Sequence, residues 1–61
     1  MDTSILKLNE GKKVTVILNN NNVYSNIIYE FTNEGSIKFK DNHSGQDCFV
    51  LSSFIAVMRN E

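Results

Sequence analysis

The chain has few side chains of the kinds that perform catalysis. It contains one cysteine, Cys48, and one histidine, His43, in different predicted elements. A cysteine nucleophile needs a neighbouring base and an electropositive site, and a structural zinc site needs four ligands. The sequence also has no glycine-rich phosphate loop, no metal-ligand spacing and no carboxylate pair in an apolar frame. We therefore predict a protein that is not an enzyme and holds no metal or cofactor, with Cys48 buried as a small hydrophobe and His43 in a solvated loop.

Basic residues form at most one small group that could face phosphates. Lys12 and Lys13 stand together before a predicted strand, and Lys38 and Lys40 alternate along another. The formal net charge is -1, whereas proteins that bind nucleic acid by counterion release normally carry a clustered basic face. We interpret these lysines first as solvated strand ends and second as a phosphate-facing patch, which a symmetric ring would multiply.

Chain length implies one domain, residues 1–61, with thin stability. A chain of this size buries only about 60% of the surface that its unfolded form exposes. Disulfides, metals and self-association are the usual remedies, and the lone cysteine excludes an internal disulfide. Self-association is therefore the remaining way to stabilise the chain.

The amino-terminal segment does not resemble a secretory signal, because Asp2 is acidic and no long apolar run follows. Nor does any apolar run approach the roughly 20 residues that cross a bilayer. We expect a cytoplasmic protein without a membrane partner, which a reduced cysteine suits.

Five strands are predicted from β-branched and alternating residues separated by turn residues. Small polar residues at Ser25-Asn26 predict a bend or bulge in the second strand, whose Val23, Ile27, Tyr29 and Phe31 are expected on or near one face. The third strand alternates most clearly, with Ile37 and Phe39 inward. The predicted strands are Lys13–Leu18, Val23–Phe31, Ser36–Asp41, Asp47–Leu51 and Phe54–Met58.

A short helix of about two turns is predicted before the strands. Asp2, Thr3 or Ser4 can cap its start, and Gly11 tolerates the left-handed conformation that follows a helix end. An extended arm that pairs with an edge strand is the alternative. The fold class is thus mostly β, with a short N-terminal helix followed by a strongly bent five-stranded antiparallel small barrel of the SH3-like or Sm-like type. The tail, Arg59 to Glu61, is expected to fray.

The last two strands, residues 47–51 and 54–58, are apolar on both faces and carry almost no charge. Exposed strand edges of this kind invite pairing with another chain. We therefore expect them to form the interface of a homo-oligomer.

The strand pattern resembles the Sm-like (Lsm/Hfq-type) family, of which the chain would be a divergent member. The matching features are Leu8, the segments of residues 11–18, 27–32 and 36–41, an asparagine-rich turn and a tight corner between the last two strands. The resemblance implies a ring of subunits that binds RNA.

The chain departs from that family where RNA would be gripped. Asn26 stands where glycine is frequent, Thr32 where aspartate is frequent and Ser36 where a base-contacting asparagine would fall. The corner Leu51-Ser52-Ser53 replaces the family's Arg-Gly pair or Tyr-Lys-His run. The fold-building residues are thus better matched than the RNA-binding ones.

The resemblance places the turn 32–35 and the corner 51–53 together on an inner rim. Polar rim groups would contact a base or ribose edge, and tyrosines would stack on bases. The alternatives are ordinary turn chemistry for the polar residues and core or interface positions for Tyr24 and Tyr29. The candidate ligand-binding residues are Tyr29, Thr32, Asn33, Ser36, Ser52 and Ser53.

Three functions follow as hypotheses. The first is a non-catalytic ring-forming module that binds single-stranded RNA or a small nucleotide at subunit interfaces. The second is a small protein of phage or mobile-element type that sequesters a small, nucleotide-type ligand or blocks a host protein. The third is an assembly barrel without a ligand.

Overall fold

The computed structural model describes all 61 residues. The predicted mostly-β class, with a short N-terminal helix and five antiparallel strands, is confirmed. The elements are α1 Thr3–Leu8, β1 Lys13–Leu18, β2 Val23–Phe31, β3 Ser36–Lys40, β4 Asp47–Leu51, a 3₁₀ turn Ser52–Phe54 and β5 Ile55–Asn60.

The strands form one sheet in the order β4-β3-β2-β1-β5. Each neighbouring pair is antiparallel. Because β4 and β5 lie at the two ends of this order, each pairs on one side only. The bent sheet is therefore not closed into a barrel between β4 and β5.

The bend predicted in β2 is present at Ser25-Asn26. Asn26 has a φ of 57°, a left-handed conformation that asparagine tolerates better than most residues, and the register between β1 and β2 shifts between Val14 and Val16. The Asn42 amide spans the bend by donating to the Ser25 carbonyl at 3.1 Å and the Asn26 carbonyl at 2.6 Å. The β3–β4 turn thus holds the irregular part of β2.

This bulge reverses which residues of β2 face the core. After it, Ile27 and Tyr29 are buried; before it, Tyr24 points inward while Val23 is 55% exposed. The prediction that Val23 shares the face of Ile27 was wrong, because one left-handed residue shifts the period-2 alternation by one position.

The helix was predicted correctly, and the extended arm is not formed. The Asp2 carboxylate accepts a hydrogen bond from the Ser4 amide at 3.0 Å, which satisfies a free helix-start donor. This bond lowers the pKa of Asp2. Leu6 is the residue that α1 buries, and Gly11 follows the helix with a φ of 83°.

The core fills the inside of the bent sheet beneath α1. Ile37 and Phe39 both point into it, as predicted. Burying one such side chain contributes about 1.5–3 kcal/mol relative to leaving it exposed. The buried apolar residues are Leu6, Val14, Val16, Leu18, Ile27, Tyr29, Ile37, Phe39, Val50 and Ile55.

Strand ends differ from prediction in three places. Phe54 belongs to the 3₁₀ turn rather than to β5, so the corner after β4 is longer than two serines. Arg59 and Asn60 extend β5 instead of fraying, because they pair with Thr15 and Val14 of β1. Asp41 lies just outside β3.

Candidate functional site

The β2–β3 turn and the corner after β4 lie together. The Ser52 amide donates to the Gly35 carbonyl at 3.0 Å, and Ser36 pairs with Leu51 in the β3–β4 ladder. Gly35 has a φ of 80°, which glycine adopts without strain. We call this region, residues 32–36 and 51–53, the rim.

Two of the predicted ligand-binding residues already have hydrogen-bond partners within the rim. The Thr32 and Ser36 hydroxyls lie 2.7 Å apart, and the Thr32 hydroxyl also donates to the Ser36 carbonyl at 3.1 Å. Ser36 is only 5% exposed. Their geometry is that of ordinary turn chemistry, and Ser36 in particular is corrected to a buried turn residue.

Tyr29, a third predicted ligand contact, is corrected to a core residue. It is 1% exposed, and its hydroxyl donates to the Leu6 carbonyl at 2.7 Å. Burial, and then the charge of the Glu10 carboxylate, raise the pKa of the Tyr29 phenol. Its ring leaves no face on which a base could stack. Tyr24 is partly buried and meets Phe39 edge to face, with ring centroids 5.0 Å apart.

The remaining rim candidates are accessible polar groups. Asn33 and Ser53 are exposed and Ser52 is half-buried. The Ser52 carbonyl accepts from the Met1 ammonium at 2.7 Å, and the Ser53 carbonyl from the Asn19 amide at 3.0 Å. These contacts hold the backbone of the corner and leave the two serine hydroxyls on its surface.

Carboxylate residues lie among two of the four candidate phosphate-facing lysines. Lys12 and Lys13 are exposed at the start of β1. Lys38 and Lys40 pair across the sheet with carboxylate residues, Lys38 with Glu30 and Lys40 with Asp47. A shallow hollow of about 160 Å³ is lined by Ile28, Glu30, Lys38, Phe39, Lys40 and Asp47. The alternating charges there oppose the accumulation of an anionic polymer.

A larger groove of about 580 Å³ runs along β4, where the sheet is open. We call it the seam groove. Its volume lies within the range of about 300–1,000 Å³ found for ligand pockets, and no charged side chain lines it. The lining residues are Leu18, Asn20, Asn22, Tyr24, Cys48, Phe49, Val50, Leu51, Ser53 and Phe54.

Large apolar side chains are exposed on both end strands of the sheet. Phe49 is 67% exposed and Leu51 61% on β4, and Val57 is 43% exposed on β5. The two ends of the sheet therefore combine exposed apolar side chains with backbone that lacks a strand partner. The sequence predicts that these strands form an interface. In the structure both strands end the sheet, and Phe49 lies on its outer face opposite Lys38.

The hydrogen bonds that anchor β4 also identify its free backbone groups. The Asp41 backbone amide donates to the Gln46 carbonyl at 2.9 Å, and the Ser52 backbone amide donates to the Gly35 carbonyl at 3.0 Å. Even-numbered residues of β4 therefore bond to β3. Since backbone groups alternate sides along an antiparallel strand, Asp47, Phe49 and Leu51 direct their N–H and C=O groups to the open edge.

The same alternation applies to β5. The Glu61 amide donates to the Lys13 carbonyl at 3.0 Å, so the odd-numbered residues at this end of the strand bond to β1. The backbone groups of Met58 and Asn60 consequently point to the open edge of β5. No signal in the sequence alone gives this pattern, because it depends on which neighbours each strand has.

Cys48 and His43 occupy different surroundings. Cys48 is half-buried rather than fully buried. His43 is exposed in the β3–β4 turn, where the Asp41 carboxylate accepts from its amide and from the Ser44 hydroxyl, each at 3.1 Å. These bonds lower the pKa of Asp41. No group of three or more His, Cys, Asp and Glu side chains is placed to hold a metal ion.

Comparison with protein-family models, with curated proteins and with solved structures gives no match. The structure contains no helix of the length and apolar character that a membrane-crossing helix requires. The site is therefore interpreted from its own geometry, namely a partly satisfied polar rim, an uncharged groove and two open strand edges.

Proposed function

We propose that the chain is a non-catalytic module that assembles with copies of itself through the open edges of β4 and β5. In a ring of the Sm-like kind, single-stranded RNA or a small nucleotide would then bind at the rim between copies. Self-assembly is the better supported half of this proposal.

The observation that carries it is the pair of open apolar edges. A strand edge that presents unpaired N–H and C=O groups beside exposed Phe49, Leu51 or Val57 is a template for another strand. Natural proteins usually blunt such edges with lysine, proline or a covering loop. The central residues of β4, Cys48 to Val50, carry none of these protections.

Further copies of the same chain can cover both edges, one copy at each edge. Pairing β4 of one copy with β5 of the next leaves every protomer with the same contacts, which is a head-to-tail arrangement that closes into a ring if the rotation permits. Self-association also supplies the burial that a 61-residue chain lacks.

The test is sedimentation velocity of the full chain over a hundredfold concentration range, with Val57→Lys as the edge-blocking variant. We expect the parent chain to sediment as one species heavier than 6.9 kDa and the variant to shift towards the monomer, because lysine on an edge opposes strand addition. Ile28→Lys is the matched control, since Ile28 is also exposed but lies on a strand paired on both sides. Equal dissociation of both variants would count against an edge interface.

The RNA half of the proposal is supported by the accessible rim groups of Asn33, Ser52 and Ser53. Single-stranded RNA is typically read by polar contacts to splayed bases. We expect short U-rich or A-rich oligonucleotides at low salt to bind, and Asn33→Ala or Ser53→Ala to weaken binding more than Ser25→Ala, an exposed serine of β2. Absence of any anisotropy change at tens of micromolar protein would reject RNA binding and leave assembly untouched.

A second candidate function is favoured by the uncharged lining of the seam groove. Phosphate-bearing ligands need cationic or backbone N–H partners, whereas this groove offers amide and hydroxyl groups around an apolar floor. It suits an uncharged small ligand or an apolar segment of a host protein. Native mass spectrometry of protein purified from cells would detect the added mass. A multimer without any added mass would leave the ligand-free assembly barrel.

A further inference from the structure

A hollow between the β3–β4 turn and the start of β2 takes no part in the proposed assembly. Its volume is about 330 Å³, and none of its lining residues belongs to β4 or β5. We propose that this hollow, which we call the turn hollow, binds a guanidinium group, and that an arginine side chain of a partner protein supplies it. The lining residues are Val23, Tyr24, Ser25, Asp41, Asn42 and His43.

The first step is the orientation of the Asn42 amide. Its nitrogen donates to the Ser25 carbonyl at 3.1 Å and to the Asn26 carbonyl at 2.6 Å, so both of its N–H groups are used. The reverse orientation would set the amide oxygen against two carbonyl oxygens. Asn42 is exposed, and what it offers to a ligand is therefore the oxygen of the amide, which only accepts hydrogen bonds.

The second step is the state of the Asp41 carboxylate. One oxygen accepts from the His43 backbone amide and the other from the Ser44 hydroxyl, each at 3.1 Å. These bonds, together with the His43 charge, lower the pKa of Asp41, so the group is ionised at neutral pH. No lysine or arginine contributes to that shift. Since each carboxylate oxygen can accept a further bond, Asp41 is a fixed anionic acceptor without a cationic partner from its own chain.

The third step is the balance of donors and acceptors. Asp41 and Asn42 supply three acceptor oxygens, and the exposed Ser25 hydroxyl can supply a fourth. The His43 ring is the one side-chain N–H donor still available in the lining. A phosphate, a carboxylate or a neutral amide would need more donors than this hollow offers. The matching ligand carries donors and a positive charge.

A guanidinium group fits this balance better than an ammonium group. It has five N–H donors and no acceptor, and its planar fork bonds a carboxylate through two parallel hydrogen bonds. Its flat face also packs on aromatic rings, and Tyr24 lies in the wall of the hollow. A lysine ammonium is a compact point charge with three donors and no fork.

A partner protein is the better source of this group, because of the residue beside it. Val23 lines the same hollow and is 55% exposed. A free guanidinium compound would leave most of this apolar surface in water, whereas a chain that carries an arginine beside an apolar residue would cover it. Arg59, the one arginine of this chain, is the remaining source, supplied by a second copy.

The test is a titration of the parent chain followed by two-dimensional NMR, with methylguanidinium chloride and methylammonium chloride as probes at equal ionic strength. Methylguanidinium should shift the backbone amides of residues 41–43 and the Asn42 side-chain amide. Its dissociation constant should be about fivefold lower than that of methylammonium, the size of effect expected for an ion pair open to solvent.

Two matched variants assign the binding to the turn hollow. Asp41→Asn should lose the preference for methylguanidinium, because it removes the anionic fork acceptor. Asp47→Asn should keep it, since Asp47 is an exposed carboxylate nearby that does not line this hollow. Circular dichroism of each variant should match the parent, and the comparison of the two probes on the parent chain does not depend on either variant.

Two further arms distinguish the sources. A capped Val-Arg-Val peptide should bind more tightly than a capped Gly-Arg-Gly peptide if a partner protein also covers Val23. Equal affinity of the two peptides would overturn the protein source and leave a free guanidinium compound. If Arg59→Gln alone moves the resonances of residues 41–43 without any probe, a second copy supplies the group and the separate partner is wrong.

The remaining outcomes overturn the site itself. Equal affinity for the two probes would show attraction of any cation rather than recognition of a guanidinium. The absence of shifts at residues 41–43, or an equal loss of preference in both variants, would exclude the turn hollow. None of these readings uses the solution mass, so this inference and the proposed self-assembly can fail separately.

Discussion

Two phenylalanines on adjacent strands have opposite environments. Phe39 on β3 is 3% exposed and Phe49 on β4 is 67% exposed. Both stand in short strands of five residues. The difference is that Phe39 points into the core, whereas Phe49 lies on the outer face of the sheet, opposite Lys38 of β3.

This contrast indicates that the face of the sheet on which a side chain lies decides which apolar residues fold the chain and which are left for a partner. Val50 on the end strand β4 is 7% exposed, whereas Ile28 on β2, which is paired on both sides, is 56% exposed. A phenylalanine on the inner face of the sheet stabilises the monomer. One on the outer face adds to the exposed apolar surface and gains burial only when another molecule covers it. The variants below test the contrast from the largest expected effect to the smallest.

Phe39→Ala should unfold the monomer. Truncating a buried phenylalanine costs about 3–5 kcal/mol, and a domain of this size has a total stability of only about 3–9 kcal/mol at typical values per residue. Circular dichroism during urea denaturation should show a lost or strongly weakened transition. A variant with the parent's midpoint would contradict the assignment of Phe39 to the core.

Phe49→Ala should leave the fold intact and abolish assembly. Its side chain contacts solvent and one lysine, with the Lys38 ammonium 5.7 Å from the ring centroid, an exposed cation–π contact worth about 0.5–1 kcal/mol. The circular dichroism spectrum should match the parent while the solution mass falls to that of the monomer. Ile28→Ala, which removes an exposed residue of an interior strand, should keep the parent mass.

Tyr29→Phe should weaken the attachment of α1 without changing the strands. It removes the hydroxyl that bonds the Leu6 carbonyl and leaves a buried acceptor unpaired, at a cost of about 1–3 kcal/mol. The urea midpoint should fall, and amide exchange should quicken in residues 3–9 more than in β3. Uniform acceleration throughout the chain would argue against a helix-specific attachment.

Asp41→Asn should change how stability depends on pH. Backbone and side-chain hydrogen bonds from His43 and Ser44 lower the pKa of Asp41 from its ordinary 3.8. A carboxyl with a lowered folded-state pKa stabilises the fold above its unfolded pKa, and this contribution is lost as pH falls through the folded pKa. Parent and variant should thus differ in urea midpoint at pH 7 and converge as the pH falls below the lowered pKa of Asp41. A difference that persists at low pH would assign the effect to something other than the charge.

Much of the fold could be predicted because its strands follow simple patterns. The β-branched run Lys13–Leu18 and the alternation around Ile37 and Phe39 were placed correctly, since one face of each is buried. Val23 was misplaced because the left-handed Asn26 reverses the alternation. Phe54 was misplaced because a 3₁₀ turn has no distinctive pattern in three residues.

The candidate site was harder to predict because it depends on contacts between distant residues. The Tyr29 hydroxyl is satisfied by a carbonyl 23 positions earlier in the chain, which no local pattern reveals. The Thr32 and Ser36 hydroxyls bond each other across a turn. The free backbone groups of β4 and β5 follow from the strand order and the hydrogen-bond register, so they become visible only once the sheet is known.

The most direct test of the central claim is the molar mass of the parent chain in solution by multi-angle light scattering after size-exclusion chromatography. We expect a single species at an integer multiple of 6.9 kDa that holds its mass over a tenfold dilution. A well-folded monomer at millimolar concentration would contradict it, because the open edges of β4 and β5 would then be stable without a partner.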